Sequence, residues 1–245
     1  MSGVAVSDGR DAETALEPLM DVLRTAEAAG ITLGVAPGLR AEADWVSVAD
    51  LTRAPSAALE AMVEQAAERW SAPLHVAAAL WWKGFSYWTA LPVAVGWALG
   101  GHVPLMTPEN TAVRPLPGEP FMIVGLNETR VASGTAGELG AVIRDTLIER
   151  LHAPVIETLH ELTRTGRRGL WGSVAEALVE PFAMLGMGAG TAQGLLDAVG
   201  GPVAGLVEMP SLRRRTCCLW VTLPGSDACP TCCVSTPKEP ACPTC

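Results

Sequence analysis

A chain of 245 residues, 49% of them apolar, carries enough hydrophobic material to bury a core as one large domain or two small ones, which excludes a disordered protein. Twenty-six acidic against 17 basic residues leave a formal charge of −9, the wrong sign for a nucleic-acid-binding surface. The first eleven residues lack the basic and apolar regions of a secretory signal, so the expected compartment is the cytoplasm, where thiols stay reduced.

Residues 1–11 read as a disordered tail. From Asp11 a helix is expected to about Ala29, with Leu16, Leu19, Met20, Leu23 and Ala26 on one face and Gly30 as its stop. An irregular or short extended stretch around Trp45, Val46 and Val48 follows. Ser56 then caps a helix to about Trp70, with Leu59, Met62, Val63 and Ala66 at helical spacing.

Between Gly84 and Pro108 there is no charged residue, a length within reach of a membrane span. Pro92, Gly96, Gly100, Gly101 and Pro104 interrupt it, and Tyr87, Trp88 and Trp97 lie inside it instead of at its ends. The pattern predicts two buried helices broken near Pro92. The aromatic cluster Trp81, Trp82, Phe85 and Trp88 reads as core packing, with peripheral contact at the inner face of the membrane as a second reading.

Pro115, Pro117, Gly118 and Pro120 punctuate the next segment, and Phe121 to Leu126 is strand-like, so a small antiparallel sheet is expected. Helical pattern resumes near Thr135 and runs to about Arg164, bent at Pro154; another helix starts near Trp171. Gly186 to Gly205, rich in glycine and alanine, reads as a connection. The expected fold is therefore α+β: a mainly helical body over 12–210 with a small antiparallel sheet, then a cysteine-rich C-terminal segment over 211–245.

Most other constellations lead nowhere. Glu149-x-x-His152 and Glu157-x-x-His160 have the spacing of di-iron carboxylate ligands, but both fall in one segment and do not converge. His152 is expected to pack or hydrogen-bond, and His160 to lie on a solvated helix face. A P-loop, a G-x-S-x-G elbow and a dinucleotide fingerprint are all missing from the sequence, so hydrolase chemistry has no support and electrons would come from another protein.

All seven cysteines follow Arg213, Arg214 and Arg215. Cys217 and Cys218 are adjacent, Cys229 and Cys232 form a C-x2-C, and Cys233 follows directly. The string Ala228-Cys-Pro-Thr-Cys232 recurs as Ala241-Cys-Pro-Thr-Cys245. Thiolates select zinc, copper(I) or iron–sulfur clusters. A structural zinc site stays open on these residues, as do disulfides in a secreted chain.

The order R-R-x-T-C-C-L-x-x-x-L-P-x4-C-x2-C over residues 213–232 resembles the C-terminal signature of the FhuF-like ferric-siderophore reductases. The stretch from His152-Ala-Pro154 to Leu170-Trp171-Gly172-Ser173-Val-Ala is similar to that family more weakly, with Ser173 where the family has Asn. The resemblance implies a [2Fe–2S] cluster held by Cys217, Cys218, Cys229 and Cys232. Cys233, Cys242 and Cys245 have no place in the pattern. It further implies one-electron reduction of siderophore-bound Fe(III), with a ferredoxin or flavoprotein reductase as donor. Arg213, Arg214 and Arg215 would steady the cluster charge or contact the ferric chelate or donor. An electron carrier, a siderophore-binding redox sensor and a zinc-stabilised interaction protein are the other readings.

Overall fold

The computed structural model describes residues 3–234. In order, its elements are β1 (Ala5–Asp8), α1 (Gly9–Ala15), α2 (Glu17–Ala28), β2 (Val35–Arg40), β3 (Val46–Ser47), α3 (Val48–Leu51), α4 (Ala57–Trp70), α5 (Leu74–Gly100) and β4 (His102–Pro104). They continue with β5 (Thr111–Pro115), β6 (Met122–Leu126), β7 (Arg130–Ser133), α6 (Ala136–Ile143), α7 (Ala153–Thr163), α8 (Arg167–Met184), α9 (Ala189–Val199), β8 (Val207–Glu208) and β9 (Arg213–Arg214). The fold is α+β, a helical body carrying small sheets.

The centre is the pair α5 and α8. Along α5, residues from Val76 to Gly96 are buried on nearly every side, because α4, α2, β4 and β6 pack on the faces that α8 does not cover. Trp82 ties the two helices together by donating its indole N–H to the Leu170 carbonyl at 2.8 Å. The break expected near Pro92 does not occur; one helix runs through it. An interior proline costs about 3 kcal/mol, whereas each large apolar side chain buried returns about 1.5–3 kcal/mol, and α5 buries many on both sides of Pro92. Among the described residues no helix is long and apolar enough to cross a membrane.

The expected strand at 121–126 is β6. It pairs antiparallel with β5, and the sheet order β2-β6-β5-β3 also contains a parallel β2–β6 contact that the local pattern did not announce. A second, antiparallel sheet runs β1-β7-β4. Here the expectation of a disordered N-terminus is corrected, since Ala5–Asp8 pairs with Arg130–Ser133 and α1 follows at once. The edge hydrogen bonds that β7 offers are what order this polar segment.

Thr135 and Glu138 form a capping box that starts α6. The helix then widens into a π-helical stretch, Arg144–His152, and resumes as α7. Pro154 falls in the first turn of α7, at the junction between the two hydrogen-bond registers, where a missing N–H does least harm. The segment expected to be a connection contains α9, with Ala192, Leu195, Leu196 and Val199 buried against α6 and α8. Its glycines hid a spacing that was present. Gly140 makes the α6–α9 approach possible: a Cβ there would sit 2.7 Å from the Ala198 backbone.

His152 ends the π-helical stretch wholly inside the protein, its Nε2 2.8 Å from Thr89 Oγ1 and its ring edge-on to Trp82. Burial pushes its pKa down to about 3, so it is neutral in the folded state. An unfolded histidine titrates near 6.5, so the stability tied to neutral His152 is complete above that pH and is lost as pH falls from 6.5 toward 3. Urea denaturation should therefore lose roughly 1.4 kcal/mol per pH unit below 6.5 from this group alone. His152→Asn should be less stable at pH 7 yet show a flatter slope to pH 5; an unchanged slope would refute the assignment.

Candidate metal centre

Strands β8 and β9 form a short hairpin that delivers Arg214 into the core and the cysteines just beyond it. Arg214 is only 1% exposed. Its guanidinium donates to Glu176 Oε2 at 3.1 Å, to the Gly169 carbonyl at 3.1 Å and to Ser173 Oγ at 3.1 Å. Glu176, on α8, also receives Lys83 Nζ from α5 at 2.6 Å and the hydroxyl of Thr231. Arg214 closes the ring from the other direction, its backbone N–H donating to the Thr231 carbonyl at 2.9 Å. One buried carboxylate thus binds both central helices and both halves of the cysteine segment. Its pKa is held below the usual carboxylate range, the cost of its burial being outweighed by the charges of Lys83 and Arg214 and by hydrogen bonds from Lys83 and Thr231.

Gly172 completes the docking surface. Any Cβ at this point of α8 would run into the hydroxyl of Thr216, so only glycine lets the residue before Cys217 lie against the helix. On the opposite side, Leu223 is buried with Val76 and Leu80 of α5, and Leu219 and Trp220 pack at the edge of that cluster.

The chain reverses at Leu219, whose φ of 66° lies in the left-handed region that a branched side chain normally avoids. The reversal aims backbone donors at sulfur: Leu219 N–H donates to Cys217 Sγ at 3.3 Å, and the Trp220 N–H donates to the Cys218 thiol. Cys218 Sγ lies 3.9 Å from Cys229 Sγ. Two thiolates bound at about 2.3 Å to one tetrahedral metal would stand about 3.8 Å apart, so this pair fits a common ion. The Cys218 thiol is driven toward the thiolate first by the Cys229 hydrogen bond, with Lys83 and Arg214 contributing charge. Cys229 is pushed the other way, since it holds the shared proton.

Cys217 hydrogen-bonds with Cys233, a residue the sequence pattern left without a role. Burial pushes the Cys233 thiol up, and its neighbours Cys217 and Cys232 add to the effect. Cys232 is buried, and its N–H donates to the Cys229 carbonyl at 3.0 Å. The four cysteines of the signature and Cys233 are thus gathered in one corner as two neighbouring sets. Among the described residues, no group of three or more His, Cys, Asp or Glu side chains closes tightly enough to hold a single metal ion. The donor set is all thiolate, which suits soft metals and iron–sulfur clusters. The second copy, Cys242-Pro-Thr-Cys245, lies outside the described residues.

The arginines separate. Arg214 is in the core, so the expectation that it meets a chelate or donor at the surface does not hold for it. Arg213 is half-buried and donates to the Cys233 carbonyl at 2.9 Å. Arg215 faces solvent opposite Glu208 at 3.4 Å. Lys83 and Glu176 were missed by sequence reasoning, although each interrupts an otherwise apolar helical run. Ser173 sits within α8 as a partner of Arg214.

Two cavities adjoin the corner. One of about 640 Å³ is bordered by Lys83, Trp220 and residues 225–230, Cys229 among them. The other, about 520 Å³, lies between α5 and α8 and shares Lys83 and Trp220 with the first. Compared with known protein families and with curated proteins, the chain finds no match.

Removing the shared carboxylate should be severe. Glu176→Ala would leave Arg214 charged and sealed from water, an arrangement that costs about 3–5 kcal/mol, whereas Arg215→Ala removes only a surface ion pair worth less than about 1 kcal/mol. Chemical denaturation of the two variants against the wild type measures the contrast.

Proposed function

We propose that the protein is a ferric-siderophore reductase of the FhuF-like kind, with a [2Fe–2S] cluster held by Cys217, Cys218, Cys229 and Cys232. The observation that carries the reading is the 3.9 Å approach of Cys218 and Cys229 beside Cys217 and Cys232, within a segment whose spacing matches the C-C-x10-C-x2-C signature. When bound, such a cluster supplies a one-electron donor whose potential depends on local charge and hydrogen bonding. The chain's own residues set that environment. Backbone N–H groups of Leu219 and Trp220 draw charge from sulfur, and Lys83 and Arg214 place positive charge behind it.

Fe(III) is a hard ion gripped by oxygen donors, and Fe(II) is held far more weakly, so one electron releases the metal from its chelate. No acid, base or nucleophile is needed for that step. A ferredoxin or a flavoprotein reductase would supply the electron, since the sequence carries no dinucleotide motif, and the reducing cytoplasm is the compartment that suits free thiols.

Anaerobically purified or reconstituted protein should be reddish-brown, with about two irons and two acid-labile sulfides per chain. Once chemically reduced, it should be reoxidised by ferric hydroxamates faster than a generic ferredoxin is, with Fe(II) trapped in proportion. Stoichiometric zinc without visible absorption would end the reading; an intact cluster with no such acceleration across several siderophore classes would leave an electron carrier.

The ligand set is tested separately. Truncation after Cys233 should keep the cluster spectrum, because the signature is complete without the second Cys-Pro-Thr-Cys, whereas Cys218→Ser should abolish it. A truncated protein that purifies colourless would show that the terminal copy is the true clamp.

A further inference from the structure

The cavity of about 520 Å³ between α5 and α8 has a chemistry of its own. Five of its fourteen lining residues are aromatic: Trp70, Tyr87, Trp88, Phe121 and Trp220. Three carboxylates also reach it. Glu176 is neutralised by Lys83 and Arg214, and Glu119 faces Arg69 at 3.0 Å. Glu180, one helical turn beyond Glu176 on the same stripe of α8, receives no hydrogen bond and forms no ion pair among the described residues. Burial and the nearby Glu176 push its carboxyl above the usual range, and the charges of Lys83 and Arg214 only partly oppose this. The Lys83 ammonium is hydrogen-bonded to Glu176 at 2.6 Å and forms no ion pair with Glu180.

An aromatic cavity with one unbalanced carboxylate is complementary to an organic cation. Ring faces attract an ammonium group, more strongly where water is excluded, and the apolar stem of such a ligand fills the remaining wall. A carboxylate ligand would meet Glu180 with the same sign of charge. We propose that this cavity is a binding site for an alkylammonium-bearing small molecule, with Glu180 as its counter-ion and the aromatic side chains as its cage. This site goes beyond the reductase reading and stands on the cavity alone.

Calorimetric titration of the full-length chain with hexylammonium, hexan-1-ol and hexanoate tests it without iron chemistry, so that either reading can fail while the other stands. Hexylammonium should bind more tightly than the alcohol of equal length, and hexanoate should not compete. Glu180→Gln should weaken hexylammonium by about tenfold or more, while Glu64→Gln, at an exposed position of α4 outside the cavity, leaves it unchanged. Thermal melts of both variants check that the fold is kept. Equal binding of hexylammonium and hexanol to the wild type, or full hexylammonium affinity in a folded Glu180→Gln protein, would overturn the proposal.

Discussion

The carboxylate of Glu176 is the point on which the architecture of the cysteine corner depends. Burying a charge is strongly unfavourable unless it is paired and hydrogen-bonded, and here Glu176 and Arg214 are buried while the Lys83 side chain stays 32% exposed. Lys83, Arg214 and Thr231 satisfy the carboxylate from three different places in the sequence, each by a hydrogen bond to it. The arrangement fixes position more than it adds stability. An apolar contact would let the tail slide along α8, whereas a guanidinium with four partners defines both distance and direction. The thiol of Cys218 lies within the field of Lys83 and Arg214.

The backbone supplies the second constraint. Leu219 occupies a conformation that costs a branched residue of order 1 kcal/mol, and the gain is local: two consecutive N–H groups turn toward the sulfurs of Cys217 and Cys218. Glycine could adopt the turn without strain, but it would forfeit the contact of Leu219 with Trp220 and the α5 side chains. Strain, sulfur environment and hydrophobic docking are therefore one feature of the chain, set by a single residue.

The sequence made some of this legible and hid the rest for physical reasons. Local periodicity was enough for α4 and for β6, whose ends carry their own punctuation in Ser56 and Pro120. It misled at Pro92, where the penalty of one residue was weighed without the burial around it. It misled again at Gly190 and Gly194, because intrinsic propensity spoke against a helix that tertiary contacts support. The strand β1 was invisible since its hydrogen bonds go to β7, more than a hundred residues away. In the cysteine corner, spacing alone pointed to Cys217, Cys218, Cys229 and Cys232, yet the neighbourhood of Cys233 and the buried role of Arg214 depend on long-range folding. Three consecutive arginines look alike in a string; only the β8–β9 hairpin decides that the middle one turns inward.

Lys83 borders both cavities while its ammonium is committed to a carboxylate between them. A single charged group on the boundary of two clefts obeys a reciprocity. Any occupant of one cleft that displaces the ammonium changes the potential in the other, and a change of charge there must alter the occupant's affinity by the same factor. Such coupling needs no moving domain and no chain of relayed contacts. It needs only an ammonium at the end of a long stem, partly in water, on the wall the two clefts share.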